Sequence, residues 1–256
     1  MLLRLKGLIV LTLLCLAPFA HANLERMQTV HEFRSAGYTV GTYLLIDNNL
    51  FERIREPGNR ETYREALSRM ENLLRQMDSP SELRVPFDIF VDLIRELEAL
   101  PDEEASYGLT TVNRIMMAHG ALDKATAAMY EELKGSASEN LLTLNRQSIE
   151  TSQILTLYQN NMFSSIGVYF LENKEGLFDD LDQSIVSRTE ELKKLYPDQV
   201  GAFARMEKQY QFIQPRLQNP LYDWVPTIAA FYLQRNIETL NEMAREQVQN
   251  AEIAAS

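Results

Sequence analysis

The stretch VGTYLLIDNNLF, residues 40–51, has a near copy further along the chain in IGVYFLENKEGLF, residues 166–178. Both copies place a glycine two positions before a tyrosine and follow the tyrosine with polar residues. A second pair of similar stretches occurs in the same order, because SRMENLLRQM at 68–77 is echoed by SRTEELKKLY at 187–196. Ordered echoes indicate a tandem duplication, with chance likeness between amphipathic helices as the alternative. The sequence therefore predicts two copies of one structural unit.

The chain has the composition and the periodicity of α-helix. Only 10 glycines and 9 prolines interrupt 256 residues, and apolar residues recur at steps of three and four with no sustained alternation of two. The run at 112–133 keeps a heptad-like spacing that suits antiparallel bundle packing. The breaks predict an all-α fold of about eight helices in two four-helix-bundle-like units, at 23–135 and 136–250, followed by a frayed tail at 251–256. The pattern leaves open whether these units are separate domains or one bundle.

The first 22 residues have the pattern of a secretory signal peptide. The segment begins with two basic residues, continues with an apolar stretch at 7–19 and ends with AHA at 20–22. This pattern predicts cleavage after Ala22 and a periplasmic or secreted location. An uncleaved membrane anchor would need about 20 apolar residues, and lipidation at Cys15 is disfavoured by the large Leu14 before it. Because Cys15 is the only cysteine, the mature chain should hold no disulfide and no cysteine metal site.

The formal net charge of the chain is −11 at pH 7. This excess of acidic residues argues against nucleic acid and anionic membrane surfaces as partners, because both repel a negative protein. No stretch after the signal-like segment reaches the length of a transmembrane helix. The mature chain is therefore expected to be soluble and not to insert into a membrane.

The repeated Gly-x-Tyr is the sharpest local signal. Glycine costs about 1 kcal/mol relative to alanine inside a helix, so Gly41 and Gly167 predict places where another helix passes close by. Tyr43 and Tyr169 would stand beside that approach, either as packing residues at the bundle edge or as part of a ligand pocket between helices. His119 lies on the apolar face of the fourth predicted helix, either as a hydrogen-bonded core histidine or as a pH-sensitive group.

Two aromatic residues near the predicted start of the last helix are candidate interface residues. Trp224, the only tryptophan, follows Tyr222 by two positions, and it either fills the core or anchors an exposed interface.

Motifs of catalysis are missing from the sequence, which has no Glu-x-x-His pair, Walker loop, dinucleotide fingerprint or Gly-x-Ser-x-Gly elbow. No catalytic, metal or cofactor site is predicted.

The predicted architecture resembles the helical-bundle ligand-binding modules of bacterial transmembrane sensors, and this likeness alone does not carry a function. The first hypothesis is a non-catalytic exported protein that binds an envelope protein, such as a sensor, and a small ligand between its helices. The second is a structural or assembly accessory of an envelope complex without a ligand, and the third and most remote is an enzyme. A binder should have a cavity lined by the Gly-x-Tyr helices, whereas a scaffold should have a filled core there.

Overall fold

The computed structural model describes residues 2–48, 56–101, 105–161, 176–219 and 224–255. Within these ranges the chain forms eight α-helices and no β-strand, so the predicted all-α fold is confirmed. The helices are α1 (Leu2–Asp47), α2 (Pro57–Gln76), α3 (Ser81–Glu98), α4 (Ala105–Leu133), α5 (Glu139–Asn161), α6 (Leu177–Leu195), α7 (Val200–Gln218) and α8 (Pro226–Ala255).

Prolines mark the helices in two different ways. Pro57 and Pro226 each begin a helix, where the missing backbone N–H costs no hydrogen bond. Pro215 instead lies inside α7, although the sequence predicts that this helix ends before it. Ile213 and Leu217, on either side of Pro215, are both buried, and the packing of this apolar face offsets the hydrogen bond that proline removes. At the other end of the chain, α8 continues to Ala255, where the sequence predicts a frayed tail.

Each half of the chain forms a ring of four neighbouring helices. In the first half α1 packs against α2 and α4, while α3 packs against the same two helices. In the second half α5 packs against α6 and α8, while α7 packs against these two. The halves meet where α1 contacts α5 and α8. This order of neighbours is compatible with the two predicted units, and their origin by duplication stays a prediction.

Helix α1 packs against helices of both halves. The largest apolar cluster lies mainly within α1 to α4 and includes Phe33 and Phe90. Two smaller clusters lie mainly in the second half, and each of them includes one buried residue of α1, Ile46 in one case and Met27 in the other. Burial of α1 on several sides couples the packing of the two rings.

Helix α5 is also buried on most of its surface, yet more than half of its buried residues are polar. A buried polar group needs a hydrogen-bond partner to offset its lost hydration. One such pair joins α1 to α5, since the hydroxyl oxygens of Thr42 and Thr156 lie 2.8 Å apart. Side-chain hydrogen bonds therefore contribute to the contact between the two halves.

No helix in the described part of the chain combines the length and the apolar character that crossing a membrane requires.

Gly41 faces α4, which leads to a first prediction. A Cβ atom at Gly41 would meet Met116 Cε at 3.5 Å and His119 Cδ2 at 3.6 Å, which is ordinary contact. We therefore expect Gly41→Ala to be tolerated, while Gly41→Leu, whose longer side chain overfills this contact, should lower the free energy of unfolding by about 1–3 kcal/mol. Urea denaturation followed by circular dichroism measures both changes.

Gly201 provides the matched control for this prediction. It lies in the first turn of α7, and no atom would come within 4 Å of a Cβ placed on it. Gly201→Leu should therefore leave the unfolding midpoint almost unchanged. Equal stability of the Gly41→Leu and Gly201→Leu proteins would contradict the close approach of α1 and α4.

Candidate ligand-binding cavity

Three of the predicted site residues, Gly167, Tyr169 and Tyr222, lie outside the described residues. The second copy of the Gly-x-Tyr signal is among them. The predicted roles of these three residues stay predictions, and the positions of the others are as follows.

The first Gly-x-Tyr lies beside a filled part of the core. The space next to Gly41 is occupied by the side chains of Met116 and His119, while Tyr43 is partly buried at the border between two apolar clusters. His119 is buried, and its ring packs edge-on against Tyr38 with 4.9 Å between ring centroids. Loss of hydration lowers the pKa of His119 below its usual value. These contacts are those of packing residues.

Trp224 packs against the end of α5. Its ring centroid lies 4.6 Å from that of Tyr158, and the Tyr158 hydroxyl accepts a hydrogen bond of 2.8 Å from the backbone N–H of Val225. Trp224 is partly buried against the apolar cluster that contains Tyr158. This position agrees with the core-filling alternative for the tryptophan.

A buried polar cluster joins α1, α5 and α8 around Asn241. The Asn241 Oδ1 atom accepts from His31 Nε2 at 2.8 Å and from Ser148 Oγ at 2.7 Å. Its Nδ2 atom donates to Ser35 Oγ at 2.9 Å. One side chain of α8 thus satisfies two residues of α1 and one of α5, and all four side chains are buried.

A buried carboxylate makes a second polar connection from α1. Glu32 Oε2 lies 2.6 Å from Arg69 Nη2 on α2 and 3.1 Å from Arg245 Nη1 on α8. Glu32 is almost fully buried, whereas both arginines are partly exposed. A buried charge requires such compensation, so this pair of contacts holds α1 between the two halves.

A cavity of about 230 Å³ opens between α1, α4 and α5, close to the Asn241 cluster. Its inner wall is formed by the buried residues His31, Asn145 and Ile149 together with the half-buried Tyr130. Its outer wall carries charged side chains and reaches solvent. The charged residues of the outer wall are Arg34, Glu131, Lys134, Arg146 and Glu150.

Asn145 has an unsatisfied acceptor in the inner wall. Its Nδ2 atom donates to Gln28 Oε1 and to the Tyr130 hydroxyl, both at 3.2 Å. Its Oδ1 atom is buried and has no hydrogen-bond partner among the described residues. Asn145 is only 2 % exposed, so bulk water does not reach this side chain freely. Buried acceptors are usually paired in native proteins, so this atom is an exception among the described residues.

His31 offers a second acceptor to the inner wall. An amide oxygen can only accept, so the contact with Asn241 Oδ1 places the proton of the neutral ring on His31 Nε2 and leaves a lone pair on Nδ1. Burial is the main cause that lowers the pKa of His31 from 6.5 to about 4. The ring is therefore neutral near pH 7, and its Nδ1 can accept but not donate.

Most charges of the outer wall are already paired. Arg34 makes a two-point contact with Asp123, at 2.6 and 3.1 Å, and Lys134 pairs with Glu131. Glu150 accepts two hydrogen bonds from Arg188, at 2.6 and 3.1 Å. Both carboxylates of the wall are thus engaged with cations of the protein.

Arg146 differs from these residues. It is exposed at the mouth of the cavity and forms no ion pair with any residue that the structure describes. Its guanidinium group is available to an anion, which it can bind through two parallel hydrogen bonds. The cavity therefore combines polar residues in its wall with a cation at its mouth that has no ion-pair partner in the described part of the chain, an arrangement suited to holding a polar molecule.

Sequence reasoning missed this cavity. His31 has no metal-ligating or catalytic residue at a motif spacing beside it in the sequence. The α5 residues of the wall share one helical face, because Leu142, Arg146, Ile149 and Gln153 follow spacings of four, three and four, with Asn145 next to Arg146. Polar and apolar residues alternate on that face, and such a mixture inside a helical bundle was the one indication of a polar cavity in the sequence. Groups of three or more histidine, aspartate, glutamate or cysteine residues that could hold a metal do not occur in the described parts of the chain.

Comparison with protein-family models, with curated proteins and with solved structures finds no match to this chain. The cavity is therefore interpreted from the chemistry of its own residues.

Proposed function

We propose that the protein is a non-catalytic binding protein that holds a small polar molecule in the cavity between α1, α4 and α5. The observation that carries this proposal is the cavity of about 230 Å³, whose mouth holds the exposed Arg146, a cation with no ion-pair partner among the described residues. A guanidinium group in this position can bind a polar or anionic molecule through two parallel hydrogen bonds. Spaces between the helices of bundles are common ligand sites.

The signal-like first 22 residues support export as part of the same proposal. In this proposal the exported protein acts through contact with another protein. An envelope protein is the partner that the proposed location favours, with a membrane sensor as one candidate. The negative net charge of the chain disfavours nucleic acid in this role.

A second candidate function is that of an assembly accessory without a ligand. It is favoured by an aromatic surface on α7 and α8, where Phe212 is 50 % and Phe231 is 52 % exposed. The ring of Tyr232 lies near both rings, with centroid distances of 5.4 and 5.2 Å. Arg216 and Arg235 each lie 5.0 Å above one of the exposed rings. Aromatic residues and arginine are enriched at the energetic centres of protein interfaces.

Native mass spectrometry of the protein isolated gently from its own envelope fraction tests the first candidate. We expect the wild-type protein to carry a small-mass adduct. Leu142→Trp should lose this adduct, because Leu142 lines the cavity and an indole there takes up the ligand's space. The mass of the adduct would give the first information on the ligand's identity.

Leu67→Trp is the matched control for this experiment. Leu67 is partly buried on α2 and packs against the first apolar cluster, so its replacement should leave the adduct in place. A bare wild-type chain would contradict the ligand-binding proposal. A chain that is found only in complex with another protein would favour the assembly accessory.

A further inference from the structure

The exposed aromatic rings of α7 and α8 lie in a basic part of an acidic chain. Residues 205–218 and 226–237 contain four cationic side chains and one carboxylate, although the whole chain has a net charge of −11. The two segments run side by side, because Asn236 Nδ2 donates to the backbone oxygen of Met206 at 3.2 Å. The four cations are Arg205, Lys208, Arg216 and Arg235.

The one carboxylate of these segments is engaged on another helix. Glu207 Oε2 lies 2.8 Å from Lys193 Nζ on α6. The next carboxylate along α8 is Glu238, and it lies on the side of this helix that faces α1, because burial and then the charge of Glu238 raise the pKa of Tyr43 on α1. Within the two segments, the exposed rings are therefore bordered by cations that no carboxylate of the same segments neutralises.

Rings and cations alternate along the outer faces of both helices. On α7, Arg216 follows Phe212 by four positions, and on α8, Arg235 follows Phe231 by four, which places each pair on one helical face. The exposed Ile228 precedes Phe231 by one turn. We call this set of side chains the aromatic–arginine surface, and it consists of Phe212, Arg216, Ile228, Phe231 and Arg235.

The arginines of this surface are positioned to bind carboxylates. The guanidinium carbon of Arg235 lies 5.0 Å from the centroid of the Phe231 ring, and that of Arg216 lies 5.0 Å from the Phe212 ring. A guanidinium group stacked on a ring keeps N–H donors at its edge, and these donors match the geometry of a carboxylate. Arg235 is exposed and has no ion pair with a residue that the structure describes.

A second copy of the chain and an anionic membrane fit this surface less well than an acidic protein segment. In a two-fold dimer the same patch meets itself, which would bring the arginines of one copy against those of the other. An anionic membrane would attract these arginines but repel the rest of a chain whose net charge is −11. A short acidic segment avoids both kinds of repulsion.

We infer that the aromatic–arginine surface is the docking site for an acidic segment of another protein. Apolar side chains of that segment would cover the rings of Phe212 and Phe231, and its carboxylates would bind Arg216 and Arg235. This inference rests on the part of the proposed function that gives the protein a protein partner, and it does not depend on a ligand in the cavity. It assigns the surface of contact and the charge of the partner.

Site-specific photo-cross-linking in the full-length protein tests the docking site. Phe231 is replaced by the photoreactive amino acid p-benzoylphenylalanine, the cells that export the protein are irradiated, and the cross-linked peptides are identified by mass spectrometry. We expect cross-links to a segment of another protein that has an excess of aspartate and glutamate and at least one large apolar residue.

Ile89 is the matched control position for the cross-linker. It lies on α3 and is 53 % exposed, which is close to the 52 % of Phe231. Its neighbours in the sequence and on the helical face include Asp88 and Asp92, which would repel an acidic segment. The cross-linker at position 89 should therefore not label the segment that position 231 labels.

A charge reversal tests the role of the arginines. Arg235→Glu in the protein that carries the cross-linker should lower the yield of the cross-link about fivefold or more, because it sets a negative charge against the carboxylates of the partner. Lys124→Glu makes the same change at an exposed position of α4 that has no ion pair with a described residue, and it should leave the yield unchanged. Both positions are exposed, so both variants should fold, and circular dichroism checks this.

The outcomes separate the docking site from the ligand-binding proposal. Cross-links to a lipid, to a second copy or to a segment without an acidic excess would overturn the inference, and so would a yield that Arg235→Glu leaves unchanged. Absence of any cross-link from position 231 would overturn it as well. In each of these cases a small-mass adduct on the native protein would still support the cavity, whereas absence of the adduct alone would leave the docking site standing.

Discussion

Asn241→Ala should lower the free energy of unfolding by about 3 kcal/mol, much more than a polar substitution at the surface. The change leaves His31 Nε2, Ser148 Oγ and Ser35 Oγ without the amide that bonds them. An unpaired buried polar group costs about 1–3 kcal/mol, and the two serine hydroxyls recover part of this by rotating toward other acceptors. Urea denaturation followed by circular dichroism gives the value.

Asn250→Ala is the control on the same helix. Asn250 is exposed near the end of α8, and its replacement should change the free energy of unfolding by less than about 0.5 kcal/mol. If Asn241→Ala were as mild as Asn250→Ala, the polar cluster would not hold α8 to α1 and α5 in solution.

Acidification should remove about 3 kcal/mol of stability through His31 alone. Its pKa is lowered from 6.5 to about 4 in the folded protein, chiefly because burial disfavours the charged ring. Between pH 6.5 and pH 4 the His31 ring binds a proton in the unfolded chain but stays neutral in the folded protein. The free energy of unfolding therefore falls as the pH drops toward 4, and the contribution of His31 is fully present above pH 6.5. The size follows from about 1.4 kcal/mol for each pH unit between the two pKa values.

The charges near His31 do not reverse this direction. The hydrogen bond that His31 donates to Asn241 raises the pKa of His31, as does Glu32, while Arg34 and Arg69 lower it. Burial remains the largest cause, and burial also lowers the pKa of His119. Both histidines therefore weaken the folded state in acid.

Urea denaturation of the wild type and of His31→Gln at pH 7, 5.5 and 4 isolates the effect. Titrating carboxylates act on both proteins alike, so the difference in unfolding free energy reports on His31. Relative to the variant, the wild type should lose about 3 kcal/mol between pH 7 and pH 4. A difference that stays constant over this range would show that His31 is protonated in the folded protein as easily as in the unfolded one.

The helices were predictable because their causes are local. The apolar spacing of α4 and the proline at the start of α2 act within a few residues of the chain. The continuation of α7 through Pro215 was not predictable, since it depends on the burial of Ile213 and Leu217 against other helices. A local helix breaker was overruled there by tertiary packing.

The sequence predicted that another helix packs near Gly41, but it did not predict whether a cavity for a ligand lies between the two helices. A glycine inside a helix signals a neighbour, and the structure places Met116 and His119 there. Whether the neighbour leaves a cavity depends on the sizes of side chains from another helix. At Gly41 those side chains fill the space, and the cavity lies nearer the start of α1, beside His31.

The cavity depends on residues that only the tertiary structure brings together. His31, Tyr130 and Asn145 come from three helices, and none of them belongs to a recognisable motif. Asn145 donates both of its Nδ2 hydrogens, to Gln28 and to Tyr130, whereas its Oδ1 atom has no partner among the described residues. Such an accounting of donors and acceptors requires coordinates.

The most direct test of ligand binding is a crystal structure of the protein isolated gently from its own envelope fraction. We predict electron density for a small polar molecule in the cavity, with a group of that molecule within hydrogen-bond distance of the Arg146 guanidinium at the mouth. A cavity that is closed, or that holds water alone, would contradict the proposal.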